Sequence, residues 1–597
     1  MLSNYLKVAL RNIAKHKFFS IINILGLTVG IAACLLISVY VIDELNYDHF
    51  HEKGAQMYRI NLHGKLAGQD IKTTNSCPPL AQALVDELPE VSEAIRVSNF
   101  GDWVFRYNEL SFVEEDVFVS DSNFFSFFGF PLVKGNPETA LKKPNSVVLT
   151  ETLAKKYFGD GTALGQTLIL GNGKDNYEVT GVMKDVPGNS HLKFQALLST
   201  STFNQFRQPI WLNNNLWTYY ILNDGGNSEE VDRKLEEITD RNVAPTLIQF
   251  MGKSLEDFKA EGGIYKYYSM PMFDIHLRSQ LQDEAEAPGD ISYVYILSAI
   301  GIFILLIACI NFMNLSTAQS AGRAKEVGLR KTLGSLRSYL IGQFLTESFI
   351  YSLAAAILAF ALVYFLMPSF NQMSGKTMSL DMLFQPLILL LFSGIIVFVG
   401  LMAGSYPAFY LTSFKITETL KGKLKAGMKS GSVRGVLVTF QFWISIILII
   451  CTAIVYQQLE YVQDKNLGID KEHIIMFKNT GRLDNNSNAF KVELEQHSSV
   501  ESASFSNNSI PGVNNTTIFR SAGNDADHIL ATYFADPDHL QTMGFEMSDG
   551  RFFSRDFLSD SGAVVLNEAA VAEFGWDSAI GEKIFTFNGD APETKEV

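Results

Sequence analysis

Residues 21–42 read IINILGLTVGIAACLLISVYVI, 22 consecutive residues without a charged side chain. A helix of about 20 such residues crosses the roughly 30 Å of hydrocarbon in a bilayer. Four further runs of this kind follow, near 294–315, 344–367, 387–406 and 436–456. None holds a charge at its centre; Glu347, near the start of the third, comes closest. Backbone N–H and C=O groups inside lipid must be satisfied within the segment, so each run is expected to form a transmembrane helix. The first run exceeds the apolar stretch of a cleavable signal peptide, and no small-x-small site follows it, so it reads as a retained anchor.

The flanking charges orient the chain. Lys7, Arg11, Lys15 and Lys17 precede the first run, whereas Asp43, Glu44 and Asp48 follow it. Arg323, Lys325, Arg330, Lys331 and Arg337 lie between the second and third runs. Lys415, Lys421, Lys423, Lys425, Lys429 and Arg434 lie between the fourth and fifth. Cationic short loops stay in the cytoplasm. The N-terminus is therefore expected inside, with the long segments after the first and fifth runs outside.

Composition agrees with a hybrid of membrane helices and folded domains: of 597 residues, 47% are hydrophobic and 19% charged. The net charge is −15, and the basic residues gather beside apolar runs, so no nucleic-acid partner is expected. Cys34, Cys309 and Cys451 fall in apolar runs and Cys77 stands alone in a polar region, which leaves no disulfide framework and no CxxC metal spacing.

The first long segment reads as mixed α/β. Ser76 looks like an N-cap, followed by Leu80, Leu84 and Leu88 at helical spacing. Residues 146–150 and 177–182 read as short β-branched strands. Part of this segment recurs. VSDSNFFSFFGFPLVKG (119–135) corresponds to FADPDHLQTMGFEMSDG (534–550), NSVVLTETLAKKYFG (145–159) to GAVVLNEAAVAEFG (562–575), and ALGQTL (163–168) to AIGEKI (579–584). Three blocks in one order, each copy behind an apolar run, indicate a duplicated unit of helix plus outer domain. Val597 then aligns near Val179. A full second unit would add roughly 230 residues and three helices, for an eight-helix protein of about 800 residues.

Catalytic signatures are missing from the sequence. It has no GxxxxGK[ST] loop for nucleotide phosphates, no HExxH and no GxSxG. Asp48-His49-Phe50-His51 suggests a metal pair, but histidines two apart diverge on a helix, and a solvated juxtamembrane segment is expected. The runs also lack the buried charges of an ion-coupled transporter. Asn311, Asn314 and Gln441 are expected to serve helix packing.

Residues 321–345, AGRAKEVGLRKTLGSLRSYLIGQFL, alternate apolar and basic positions. They are expected to lie along the inner membrane surface, held by lipid phosphates. Lys325-Glu326-Val-Gly328-Leu-Arg330-Lys331-Thr-Leu333-Gly334, followed by Glu347-Ser348, resembles the signature of MacB-like and FtsX-like ABC transporter permeases. Gly404-Ser-Tyr-Pro407, Leu10-Arg11-Asn12 and Asp43-Glu44-Leu-Asn-Tyr47-Asp48 are similar to strings of that family, and the first outer segment resembles its periplasmic core domain.

The resemblance implies an α-helical transmembrane bundle with mixed α/β extracytoplasmic domains. Residues 1–20 would be cytoplasmic, 21–42 the first helix, 43–292 a periplasmic core domain, and 293–411 an FtsX-like permease domain with a coupling loop at 316–343. Residues 412–435 would form a basic cytoplasmic linker, 436–456 a helix, and 457–597 a second, incomplete core domain. It further implies a multi-pass protein of the bacterial inner membrane that carries no cofactor of its own. A separate cytoplasmic ABC ATPase subunit would bind ATP-Mg and dock at Glu326, Gly328, Arg330, Lys331 and Gly334. A periplasmic adaptor or outer-membrane channel is a further implied partner, beside membrane lipids. The implied activity is export or extraction of a hydrophobic or amphipathic substrate; the alternative is a signalling device that activates a periplasmic partner such as a cell-wall hydrolase.

Overall fold

The computed structural model describes residues 2–597 except 67–68, 172–174, 252–253, 413–427, 467, 470–471, 479, 509–515, 523–525, 527 and 587–592. Among the described residues, five helices are long and apolar enough to cross a membrane: Lys17–Leu45, Ile291–Gln319, Arg337–Ser374, Pro386–Tyr410 and Arg434–Asp464. Each expected run lies within one of them. The basic linker read at 412–435 falls largely outside the described residues.

The first four spanning helices share one apolar core. Leu27, Ile31 and Leu35 of the first meet Leu305, Cys309 and Phe312 of the second, Ala355 and Ala359 of the third, and Val399 and Ala403 of the fourth. Lipid offers no hydrophobic drive for this association, so close backbone approach and hydrogen bonds carry it. A Cβ on Gly30 would sit 2.6 Å from Ala308 Cβ, and one on Gly400 2.6 Å from Phe349 Cδ2. Ser20 Oγ and Tyr351 OH share a 2.8 Å hydrogen bond, and Ser352 Oγ donates to Ile396 O at 3.0 Å. Asn311 faces Gly26 on the first helix. The fifth helix touches the second but packs little; among its described residues only Ile444 is buried.

Between the first and second spanning helices the chain folds into an α/β head. Its strands begin with β1 (Met57–Leu66), β2 (Gln69–Thr73), β3 (Val91–Asn99), β4 (Trp103–Tyr107) and β5 (Leu110–Glu114). There follow β6 (Val117–Ser120), β7 (Leu132–Gly135), β8 (Ser146–Thr150) and β9 (Thr167–Leu170). The last are β10 (Asp175–Met183), β11 (Ala196–Ser199), β12 (Trp217–Leu222) and β13 (Ile264–Pro271). They form one sheet in the order β13-β1-β12-β3-β6-β11-β8-β10-β9-β4-β5, with β2 beside β1 and β7 beside β10. Pairs β10·β8 and β11·β6 are parallel. An aromatic core of Phe118, Phe124, Phe127, Phe128, Phe130 and Phe194 packs near the sheet centre.

The helix expected after Ser76 runs Leu80–Glu87 and buries Leu80 and Leu84. Its cap differs from expectation. Pro79 occupies the N-cap position, and the buried Ser76 turns to strand β12, donating to Leu216 O at 3.0 Å and sharing a 2.8 Å bond with Thr218 Oγ1. A buried hydroxyl needs a partner, and the adjacent strand supplies one better than the turn does.

After the fifth spanning helix, β14 (Thr516–Ser521), β15 (His528–Ala531), β16 (Lys583–Thr586) and β17 (Glu593–Glu596) form a second sheet in the order β15-β14-β16-β17. This repeats the β5-β4-β9-β10 end of the head. Phe105 and Arg106 pair with Leu170 and Ile169, as Phe519 and Arg520 pair with Thr586 and Phe585. Gly165 N donates to Val179 O and Val179 N to Gln166 O, both at 2.8 Å; Gly581, Val597 and Glu582 repeat the pattern at 2.9 Å. Helices Glu151–Phe158 and Glu568–Phe574 are each capped by a side-chain oxygen, from Thr150 and Asn567.

Candidate functional site

At the end of the bundle away from the head, the second spanning helix does not stop at the membrane. It runs unbroken over Ile291–Thr332, about 63 Å at 1.5 Å per residue. The stretch expected to lie flat on the membrane surface is thus the overhang of this helix plus the start of the next, Arg337–Ser374. Continuous i→i−4 bonding outcompetes a separate surface helix because no residue in 291–332 breaks it.

The elbow between these helices is built by Gly334. Its φ is +91°, and Gly334 N donates to Lys331 O (3.1 Å) while Ser335 N donates to Arg330 O (3.0 Å). Those two bonds make a Schellman closure, in which the left-handed position favours glycine. Val327, Leu340, Phe344 and Ala408 are buried together beneath it. Gly328 is buried as well.

Arg330 and Lys331 act within the fold. Arg330 Nη1 donates to Gln343 Oε1 at 2.5 Å, and Lys331 Nζ to Thr412 O at 2.6 Å, tying the elbow to the third and fourth helices. Burial, with Arg337 nearby, pushes the Lys331 ammonium below its usual range. The side chain of Glu326 lies outside what the structure describes. Facing outward instead are Leu329, Leu333, Leu336 and Tyr339, with Leu333 78% exposed. Nearby, a Cβ on Gly404 would sit 2.9 Å from Ser348 Cβ, so two of the motif strings quoted above meet in space.

A second arrangement lies at the head end. Lys376, in the loop after the third spanning helix, places Nζ 2.6 Å from Glu44 Oε1 and 3.5 Å from Asp43 Oδ2. Glu44 Oε2 is 2.8 Å from His276 Nε2, and the His276 ring stacks on Tyr47 with centroids 3.4 Å apart. Tyr47 OH donates to Glu286 Oε2 at 2.9 Å, and Lys193 pairs with Glu286. Burial, then the Glu286 carboxylate, raise the Tyr47 phenol well above its ordinary range. Three carboxylates thus face two lysines and a histidine, the pairing that buried charges require.

The Asp48–His51 segment is solvated only in part, at the exposed His49 and Phe50. Asp48 and His51 are buried, and Asp48 adopts a φ of +62°. Asp48 Oδ2 lies 2.9 Å from His191 Nδ1, and Asp48 Oδ1 accepts from His191 N at 3.1 Å. His51 Nδ1 sits 2.6 Å from Phe128 O, and His191 Nε2 2.8 Å from Tyr219 OH. Burial pushes the Asp48 carboxyl up, but the charge and hydrogen bonds of His191 outweigh it and hold the group below its usual range. Burial lowers the His51 imidazole to about 4. The polar composition misled because folding encloses Asp48 and His51 in the head, where His51 Nε2 has no hydrogen-bond partner among the described residues. Among the described residues no group of three or more His, Cys, Asp or Glu could hold a metal.

The return connection is fixed equally well. Arg59, fully buried, forks onto Glu284 through Nη1–Oε2 (2.5 Å) and Nη2–Oε1 (2.7 Å). Thr74 Oγ1 and Trp217 Nε1 donate to Asp283 O at 2.6 and 3.0 Å. Both chain segments joining head to bundle are therefore pinned, and the loop after the third helix is pinned to them by Lys376.

Residues 20–238 match the MacB-like periplasmic core domain, and residues 298–416 match the FtsX-like permease C-terminal domain. The chain is 23% identical over 278 residues to the macrolide export ATP-binding/permease protein MacB of Bdellovibrio bacteriovorus, covering 46% of this chain and 38% of that protein. It is 22% identical over 369 residues to the ABC transporter permease YvrN of Bacillus subtilis, covering 59% of this chain and 84% of YvrN. Against MacB of Chromobacterium violaceum, 382 residues align at 23% identity, 61% of this chain and 52% of the relative. The chain thus spans from about two-fifths to half of the MacB relatives. The solved periplasmic region of MacB from Actinobacillus actinomycetemcomitans aligns at 18% identity with a TM-score of 0.25, covering 37% of this chain and 91% of that one. A MacB-like periplasmic core domain and an FtsX-like permease C-terminal region together match more than half of the chain: it belongs to the MacB-like and FtsX-like family of ABC transporter permeases.

Proposed function

We propose that this membrane permease works with a separate cytoplasmic ATPase subunit that docks on the elbow, and that helix displacement passes through the Glu44–Lys376–His276 clamp to move the head outside. The observation that carries this reading is the elbow itself. Arg330 and Lys331 hold it rigidly to two other helices, while Leu329, Leu333, Leu336 and Tyr339 project from it. Exposed apolar anchors on a rigid mount, rimmed by charge, are the ordinary make-up of a protein-docking surface. On this reading ATP-Mg sits on the partner; residues 1–597 carry no GxxxxGK[ST] loop.

The work done outside is export or extraction of a hydrophobic or amphipathic substrate, with an adaptor or channel receiving it. The uncharged centres of the spanning helices support motion transmitted along them over an ion path between them. The test is co-purification of the full chain with its ATPase from solubilised membranes. Leu333→Glu with Leu336→Glu is expected to abolish it without changing membrane insertion, and Arg330→Glu with Lys331→Glu to do the same by loosening the mount. Undiminished co-purification in both would remove the docking assignment.

A further inference from the structure

The head carries an opening remote from the elbow and the clamp. Clefts that hold small ligands run from about 300 to 1,000 Å³, and this one measures ≈ 420 Å³. It lies between helix Leu80–Glu87 and residues 199–207, above strand β3. Its two walls belong to different cores: Leu80 and Leu84 pack with Ile60 and Leu235, whereas Phe206 packs with Val119 and Leu149. A ligand held there would touch both halves of the head at once.

The lining divides by chemistry. Ala81, Val85, Ala94 and Phe206 supply an apolar side, and Val85 is 41% exposed. Arg96, Lys142 and Arg207 supply positive charge against one carboxylate, Asp121. That carboxylate is already engaged: Arg96 Nε and Nη2 donate to it at 2.9 and 2.8 Å, and Thr200 Oγ1 at 2.7 Å. Arg96 is fixed further by Nη1 donating to Pro78 O and Phe206 O. Arg207 is oriented by one contact, Nη2 to Ser201 O at 2.7 Å, and Lys142 is exposed at the rim. In a chain of net charge −15, this is a local surplus of positive charge over an apolar floor. Guanidinium and ammonium groups of this kind recognise oxyanions.

We propose that the cleft binds an anionic amphiphile, with a carboxylate or phosphate head at Lys142 and Arg207 and its apolar body against Val85, Ala81 and Phe206. The site is independent of ATPase docking. Binding is measured without nucleotide, so its failure would leave the elbow untouched.

The test uses the full chain in phosphatidylcholine nanodiscs, with binding to empty nanodiscs subtracted. The probes are laurate, dodecyl phosphate and, as a charge control, dodecyltrimethylammonium. Two variants attack different features: Lys142→Glu with Arg207→Glu reverses the rim, and Val85→Trp fills the floor from an exposed position. Laurate, dodecyl phosphate or both are expected to bind, and either variant is expected to weaken that binding at least about tenfold at an unchanged melting midpoint. Which head binds tells a fatty carboxylate from a phosphate. Affinity unaltered in both variants, or equal affinity for dodecyltrimethylammonium, would overturn the proposal.

Discussion

Lys376 Nζ lies 2.6 Å from Glu44 Oε1, joining the loop after the third spanning helix to the last turn of the first. Both side chains are nearly buried, at 13% and 6% exposure. Removing one partner of such a pair leaves a charge without compensation and costs about 3 kcal/mol or more. Lys376→Met is expected to lower the melting midpoint of the full chain in detergent, and adding Glu44→Gln to restore part of it. Additive losses in the double variant would show that the two groups do not act as a pair.

Arg59 makes the same argument for the return segment. Its guanidinium forks onto Glu284 from a fully buried position. Arg59→Met is expected to destabilise the head by about 3–5 kcal/mol, seen as loss of protease resistance. Arg59→Lys keeps the charge but loses the fork, and is expected to fall between. A lysine variant as resistant as the wild type would show that the fork geometry is unimportant.

The His51 imidazole gives the head a pH dependence. Its folded value is about 4, against an ordinary 6.5, so the neutral form is the one that folding favours. The associated stability is complete above pH 6.5 and declines as pH falls towards 4, because the unfolded chain takes up the proton first. The full decline corresponds to about 3 kcal/mol. The depressed Asp48 carboxyl acts in the same sense at still lower pH. Denaturation midpoints measured from about pH 7.5 to 4.5 are expected to drop in the wild type and to drop less in His51→Gln. Parallel profiles would rule His51 out as the source.

Gly334 sits at φ +91°, with nothing within 4 Å of a would-be Cβ. Crowding is therefore not what selects glycine there; backbone conformation is. Gly334→Val is expected to cost about 1–3 kcal/mol at the elbow and to weaken ATPase co-purification, with Gly334→Asn milder. Limited proteolysis within residues 328–340 reads the loosening directly. Equal cleavage of the valine and asparagine variants would argue against a conformational role.

The five spans were legible in the sequence because an uncharged run of about 20 residues has few other uses. The repeat was legible for a related reason: its three blocks keep their order, and Gly165 with Val179 and Gly581 with Val597 keep the same hydrogen bonds. The order of the head strands was hidden, since β1 (Met57–Leu66) pairs with β12 (Trp217–Leu222) and β13 (Ile264–Pro271), far along the chain, and alternation within a strand does not name its neighbour. The clamp was hidden too. Glu44, His276 and Lys376 each look like ordinary solvated groups, and only folding brings them together. At the elbow the basic residues drew the eye, whereas the structure turns Arg330 and Lys331 inward and leaves the leucines outside. A clue was present in Leu329, Leu333 and Leu336, three leucines set among the basic residues of a segment without an apolar run.

The reading as a whole depends on the elbow and the head standing on opposite sides of the membrane, with the elbow in the cytoplasm. Single cysteines placed at the exposed Leu333 and Leu110, in a Cys451→Ser background, can be probed in intact cells with a membrane-impermeant maleimide. Leu110→Cys is expected to label without permeabilisation and Leu333→Cys only after it. Labelling of Leu333→Cys in intact cells would place the elbow outside, where no cytoplasmic ATPase could reach it.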